Sequence, residues 1–149
     1  MANIIFVCTG NTCRSPMAEG FARKAGNGAK KQGKSCNLFV SRGISVHLPS
    51  GANQNAVKTM EKHGIDLRKH MSTQLTLQDI LWANYVLTMT EAHKNYIETE
   101  FEVNADKIHV LPVFTGMDFR EISDPFGGDL QTYADCAEMI KNCIDKLCV

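Results

Sequence analysis

The chain has 149 residues, 44% of them hydrophobic, with 16 basic and 16 acidic side chains. That is the length of one domain, residues 1–149, with enough apolar material for a sizeable core. Zero formal net charge argues against a general nucleic-acid or anionic-membrane binder and leaves room only for a local basic pocket; no apolar run approaches the roughly 20 residues a membrane helix needs.

From the N-terminus, Asn3 to Val7 is a short apolar run rich in β-branched and aromatic side chains. It predicts a buried strand and is too short for a cleavable leader. The turn Cys8-Thr9-Gly10-Asn11-Thr12-Cys13-Arg14-Ser15-Pro16 follows. Ser15-Pro16 predicts a helix start, with serine as N-cap and proline in the first helical position. Met17, Phe21 and Ala25 recur every four residues with Ala18 and Ala22 beside them, one apolar stripe. Gly26-Asn27-Gly28 is its expected end.

Leu38 to Ile44 predicts a second strand, and Asn53 to His63 a helix stopped by Gly64. Leu75 to Ala83 predicts another helix, Tyr85 to Met89 a third strand, Glu91 to Glu100 a polar helix and Ile108 to Leu111 a fourth strand. Gly116 to Leu130, with its Asp, Pro and Gly residues, predicts one long loop. The last helix carries Tyr133, Ala137, Ile140, Ile144 and Leu147 on one face. Strands alternating with helices predict an α/β fold of three layers, a four-stranded parallel sheet with helices on both faces. Ligands of such sheets bind beyond the carboxyl ends of the strands, which is where the quoted turn lies.

Six cysteines and seven methionines without a leader segment predict a reduced, cytoplasmic protein rather than a secreted disulfide scaffold. Cys36, Cys136, Cys143 and Cys148 form no pair of CxxC knuckles, so they read as packing residues, and neither a metal nor another cofactor is expected.

Cys8 and Arg14 bracket five residues with a helix start directly behind them. A loop of that length can curl its backbone N–H groups inward as an anion nest, and the helix N-terminus adds partial positive charge. Arg14 offers a planar fork to two oxygens of a phosphate. The same field favours thiolate over thiol at Cys8, and the thiolate is the nucleophile. Such a cradle suits phosphoryl transfer through a cysteinyl-phosphate. The leaving group then needs a proton, and Asp124 in Ser123-Asp124-Pro125-Phe126-Gly127-Gly128 is the candidate donor. From spacing alone, a turn aspartate is the better reading of Asp124.

The turn Cys8 to Pro16, joined to the distant Asp124-Pro125, resembles the low-molecular-weight protein tyrosine phosphatase family along nearly the whole chain. That resemblance implies no metal, Cys8 as nucleophile, Arg14 as phosphate clamp, and Asp124 as acid and then base for the hydrolytic water. It implies that Asn11 and Ser15 shape the loop, together with Thr9, Gly10, Thr12 and Cys13, and that Ser41 and His70 support it from behind. Phosphorylated proteins would be substrates and inorganic phosphate the product and inhibitor. Tyrosine-directed members carry aromatic residues after Asp-Pro and after the second strand; here Phe126-Gly127-Gly128 follows Pro125, and Ser45 to Gln54 has no Phe, Tyr or Trp. Thr9, Thr12 and the Phe-Gly-Gly step resemble the bacterial protein arginine phosphatases of the family, where the equivalent of Thr12 is implied to favour a flat guanidinium.

Phe126 then either packs on the substrate arm or anchors its own loop. Cys13 lies five residues from Cys8 on one curled loop, which predicts a reversible protective disulfide, or else a small residue that merely fits. Rival readings are a phosphotyrosine phosphatase, a non-catalytic anion-binding module and an arsenate reductase of the same fold. The last relays oxidation through two further cysteines, and none lies between Cys36 and Cys136.

Overall fold

Four of the apolar runs pair side by side. In the computed structural model, which describes residues 1–147, β1 (Asn3–Cys8), β2 (Leu38–Gly43), β3 (Tyr85–Thr88) and β4 (Ile108–Val110) form one parallel sheet ordered β2-β1-β3-β4. Six helices connect or follow the strands: α1 (Arg14–Lys31), α2 (Gln54–Glu61), α3 (Leu77–Trp82), α4 (Glu91–Glu100), α5 (Leu111–Phe114) and α6 (Leu130–Leu147).

The two-residue period of β1 divides the core. Ile4, Phe6 and Cys8 pack with Met17, Ala18, Phe21 and Ala22 of α1, Met60 of α2 and Tyr133, Ile140 and Ile144 of α6. Ile5 and Val7 point the other way, onto Ile80 of α3 and Ile97 of α4. Both faces of the sheet are therefore covered, as expected. Buried side chains such as Phe6 and Met17 each contribute roughly 1.5–3 kcal/mol.

Several boundaries differ from those the sequence predicts. Ser15 is not the N-cap of α1: the helix begins at Arg14, with Cys13 at the cap position making no side-chain capping bond. The Ser15 hydroxyl is drawn instead into the turn before the helix. At the other end, Gly26-Asn27-Gly28 does not stop α1. Gly26 is buried, and a Cβ there would meet Phe39 at 3.5 Å and Cys36 at 3.7 Å, so packing against β2 offsets the roughly 1 kcal/mol that a helical glycine costs. The helix stops at Gly33, φ 78°, where Gly33 N donates to Lys30 O (3.0 Å) and Lys34 N to Ala29 O (3.1 Å), a Schellman cap.

Leu75 lies outside α3, held as extended chain by its N–H bond to Gly43 O (2.8 Å). Thr76 caps α3 in its place, accepting from Asp79 N while the Asp79 carboxylate accepts from Thr76 N. Leu111 leaves β4 to open α5, because Pro112 behind it cannot donate to a ladder but suits a helix start. Segment 115–129 carries no helix or strand, as its composition predicts. Among the described residues no helix is long and apolar enough to cross a membrane. Cys136 and Cys143 are buried in the core and Cys36 is half-buried; Cys148 lies outside the described residues.

Candidate active site

The turn after β1 is held from outside. Ile44 N donates to Cys8 O (3.0 Å), Ser45 N to Thr9 O (2.9 Å), Asn53 N to Thr12 O (2.9 Å) and His70 Nε2 to Asn11 O (2.7 Å). With these carbonyls turned outward, the amides of Thr9 to Cys13 have no hydrogen-bond acceptor among the described residues. Unpartnered amides along a turn of this kind can act as donors to an anion. Gly43, at the end of β2, permits this closeness: a Cβ there would stand 2.7 Å from Thr9 O and 3.0 Å from Asn11 N. The sequence reading gave Gly43 no role.

Asn11 is the keystone of the curl. It is fully buried at φ 57°, a left-handed conformation that asparagine tolerates better than most side chains. Its Nδ2 donates to Ser15 Oγ (2.8 Å) and Ser41 Oγ (3.0 Å), and its Oδ1 accepts from Thr73 N (2.9 Å). Ser41 Oγ in turn donates to Glu19 Oε1 (2.7 Å). Ser15 Oγ, having accepted from Asn11, lies 3.0 Å from Cys8 Sγ and 3.4 Å from Arg42 O. Ser15 Oγ thereby ties Asn11, the Cys8 sulfur and the carboxyl end of β2 together. Ser41 and His70 thus meet the turn at one residue, Asn11.

Replacing Asn11 by alanine removes the donor to Ser15 Oγ and Ser41 Oγ and the acceptor for Thr73 N, and puts a non-polar residue at positive φ. The expected loss is about 3 kcal/mol, read as a lower urea midpoint with unchanged slope. An unchanged midpoint would remove Asn11 from its structural role.

Cys8, Thr9, Gly10, Thr12, Cys13, Arg14, Asp124 and Phe126 line a cavity of about 180 Å³. Arg14 is buried, its Nη1 donating to Ile122 O at 2.9 Å, with Nη2 3.8 Å from Asp124 Oδ2. One edge of the guanidinium is fixed and the rest is free for an anion. Asp124 stands at the rim, its side chain 53% exposed, where Oδ1 accepts from Phe126 N (3.1 Å) in an Asx turn. Asp124 is therefore a turn aspartate that also lines the cavity. Phe126 is 72% exposed, so it does not anchor its own loop; it walls the opening.

Cys13 Sγ lies 3.4 Å from the Tyr133 hydroxyl, and burial raises its thiol above the ordinary range. Burial likewise raises Cys136, to about 12. Cys8 and Cys13 are both free thiols. Among the described residues no group of three His, Cys, Asp or Glu side chains stands where it could hold a metal ion.

His93 was not foreseen. It is the buried residue of the first turn of α4, its Nε2 2.9 Å from Thr9 Oγ1. Burial, reinforced by the charge of Arg14, pushes its pKa down to about 4. The available signal was a histidine four residues before the buried Ile97 and three after the Thr90 cap.

The sequence model for low molecular weight phosphotyrosine protein phosphatase matches residues 3–149. A protein-arginine-phosphatase of Geobacillus stearothermophilus is 37% identical, over 97% of this chain and 92% of that protein. A low molecular weight protein-tyrosine-phosphatase of Staphylococcus epidermidis is 33% identical, over 97% of this chain and 95% of that protein. The crystal structure of a low molecular weight protein tyrosine phosphatase from T. tengcongensis superposes with a TM-score of 0.89 at 36% identity, covering 99% of this chain and 97% of the other.

Proposed function

We propose that this chain, which belongs to the low molecular weight phosphotyrosine protein phosphatase family, hydrolyses phosphorylated protein side chains, phosphoarginine in preference to phosphotyrosine. The observation that carries the reading is the convergence of Cys8, Arg14 and Asp124 on one small cavity. A pure anion binder needs neither the nucleophile nor the acid.

In the first step Cys8 sulfur attacks phosphorus while Arg14 and the inward amides hold the phosphoryl oxygens. The P–N bond breaks as Asp124 gives its proton to the departing guanidine nitrogen. In the second step Asp124 takes a proton from water, the water oxygen attacks phosphorus, and Cys8 leaves as thiolate. Inorganic phosphate is the product and, by occupying the same cradle, an inhibitor.

Preference for arginine is supported by Thr12 at the cavity wall, in place of a larger aliphatic residue, and by 37% identity to a protein-arginine-phosphatase. The 33% identical protein-tyrosine-phosphatase supports phosphotyrosine as the second reading. Thr12→Ile tests the choice. It is expected to lower the ratio of kcat/KM for a phosphoarginine peptide to that for a phosphotyrosine peptide by roughly tenfold or more; an unchanged ratio sinks the assignment of selectivity to Thr12.

The chemistry requires a reduced Cys8, which supports the cytoplasm as its compartment. Cys13, on the same cavity wall, is proposed as its redox partner. Peroxide oxidises the Cys8 thiolate to a sulfenic acid, and the Cys13 thiol displaces the oxygen as water to form the disulfide.

A further inference from the structure

Thr9 follows the nucleophile, lines the cavity, and has a hydroxyl whose one hydrogen-bond partner among the described residues is His93 Nε2. His93 is 5% exposed, and its other ring nitrogen, Nδ1, is buried with no partner among the described residues. A neutral imidazole carries one ring proton. On Nδ1 that proton would be a donor buried without an acceptor, the rarer and costlier arrangement. On Nε2 it is used, because Thr9 Oγ1 accepts it.

We propose that His93 is a positioning residue for phosphoryl transfer: its Nε2–H donates to Thr9 Oγ1, which leaves the Thr9 hydroxyl proton to be offered into the cavity as a side-chain donor to a phosphoryl oxygen. This rests on the phosphatase reading of the cavity and adds a donor to those supplied by the amides and Arg14. Burial, then the neighbouring Arg14 charge, keeps the ring neutral through neutral pH, so the direction of the bond is constant while the enzyme works. The pair also ties the turn after β1 to the first turn of α4, whose Thr90 Oγ1 accepts from His93 N (3.2 Å). The two sides of the cleft at the ends of β1 and β3 are thereby held at a fixed spacing.

The test is a double-mutant cycle with Thr9→Val and His93→Leu, together with His93→Gln, whose amide can place a donor near the position of Nε2. Each is assayed on para-nitrophenyl phosphate as well as on a phosphoarginine peptide. Thr9→Val and His93→Leu are each expected to lower kcat/KM about tenfold, the size of one lost hydrogen bond. The double variant should lose little more than either alone, and His93→Gln should recover most of the loss. The losses should be equal on both substrates, since the Thr9 proton addresses phosphoryl oxygens common to both. Failure of arginine selectivity therefore leaves this result readable, whereas no hydrolysis of either substrate by the parent protein defeats the phosphatase reading itself. Ring 15N shifts of His93 should report the Nε2–H tautomer in the parent protein. Independent, multiplying losses, full activity of Thr9→Val, or an Nδ1–H tautomer would each overturn the proposal, and the tautomer is readable even where His93→Leu fails to fold.

Discussion

Replacing Cys8 by serine is expected to cut kcat/KM by about 10⁴-fold or more while inorganic phosphate binds with an affinity close to that of the parent protein. The two halves of this expectation come from different parts of the site. Binding belongs to the amides of Thr9 to Cys13 and to Arg14, whose Nη1 is fixed on Ile122 O, and none of these depends on the sulfur. Turnover belongs to the nucleophile, and a thiol gives up its proton far more readily than an aliphatic hydroxyl. A serine hydroxyl at that position must first lose its proton, and in this step Asp124, on the same cavity, holds a proton for the leaving group and is not a base. Steady-state assays with a phosphoarginine peptide, and titration calorimetry with phosphate, separate the two. Retained turnover removes Cys8 from the mechanism; lost phosphate binding shows that the substitution has disturbed the cradle rather than the chemistry.

Asp124→Asn separates the leaving group from the nucleophile. The asparagine Oδ1 can still accept from Phe126 N, the bond that turns the loop at 3.1 Å, but its amide cannot deliver a proton. For phosphoarginine, whose guanidine leaves only with a proton, kcat/KM should fall by about 10²–10⁴-fold. For para-nitrophenyl phosphate, whose phenolate departs without one, the fall in the first step should be at least tenfold smaller. Equal losses on both substrates would make Asp124 a structural turn residue. The ion pair with Arg14 complicates neither result greatly, since it spans 3.8 Å and Asp124 is half exposed, a setting in which such pairs contribute little.

How much of this was legible beforehand follows from the range of the interactions involved. The sheet and its two covered faces could be read because short apolar runs and four-residue apolar spacing are local properties. The turn from Cys8 to Pro16 could be read because its nucleophile, its arginine and the following helix are contiguous. The Ser15 boundary failed because a serine before a proline is a good cap locally, yet here its hydroxyl is claimed by Asn11 and Cys8. Gly26 and Gly28 misled in the same way, since the packing of Gly26 on Phe39 joins residues far apart in sequence.

The roles of Gly43 and His93 stayed hidden for that reason as well. Gly43 is a glycine because of Thr9 and Asn11, more than thirty residues away in the chain, and His93 gains its meaning from Thr9. Ser41 and His70 were placed by resemblance alone. Their physical reason, that both terminate on Asn11, needed the folded chain.

The chemistry is tested most directly by trapping the covalent intermediate. Asp124→Asn protein mixed with para-nitrophenyl phosphate, quenched in acid within milliseconds and digested for mass spectrometry, should carry the phosphoryl group on Cys8, because the first step needs no proton and the water-activating carboxylate is gone. A phosphoryl group on any other side chain, or steady release of nitrophenol with no phosphorylated Cys8 at any time, would contradict it.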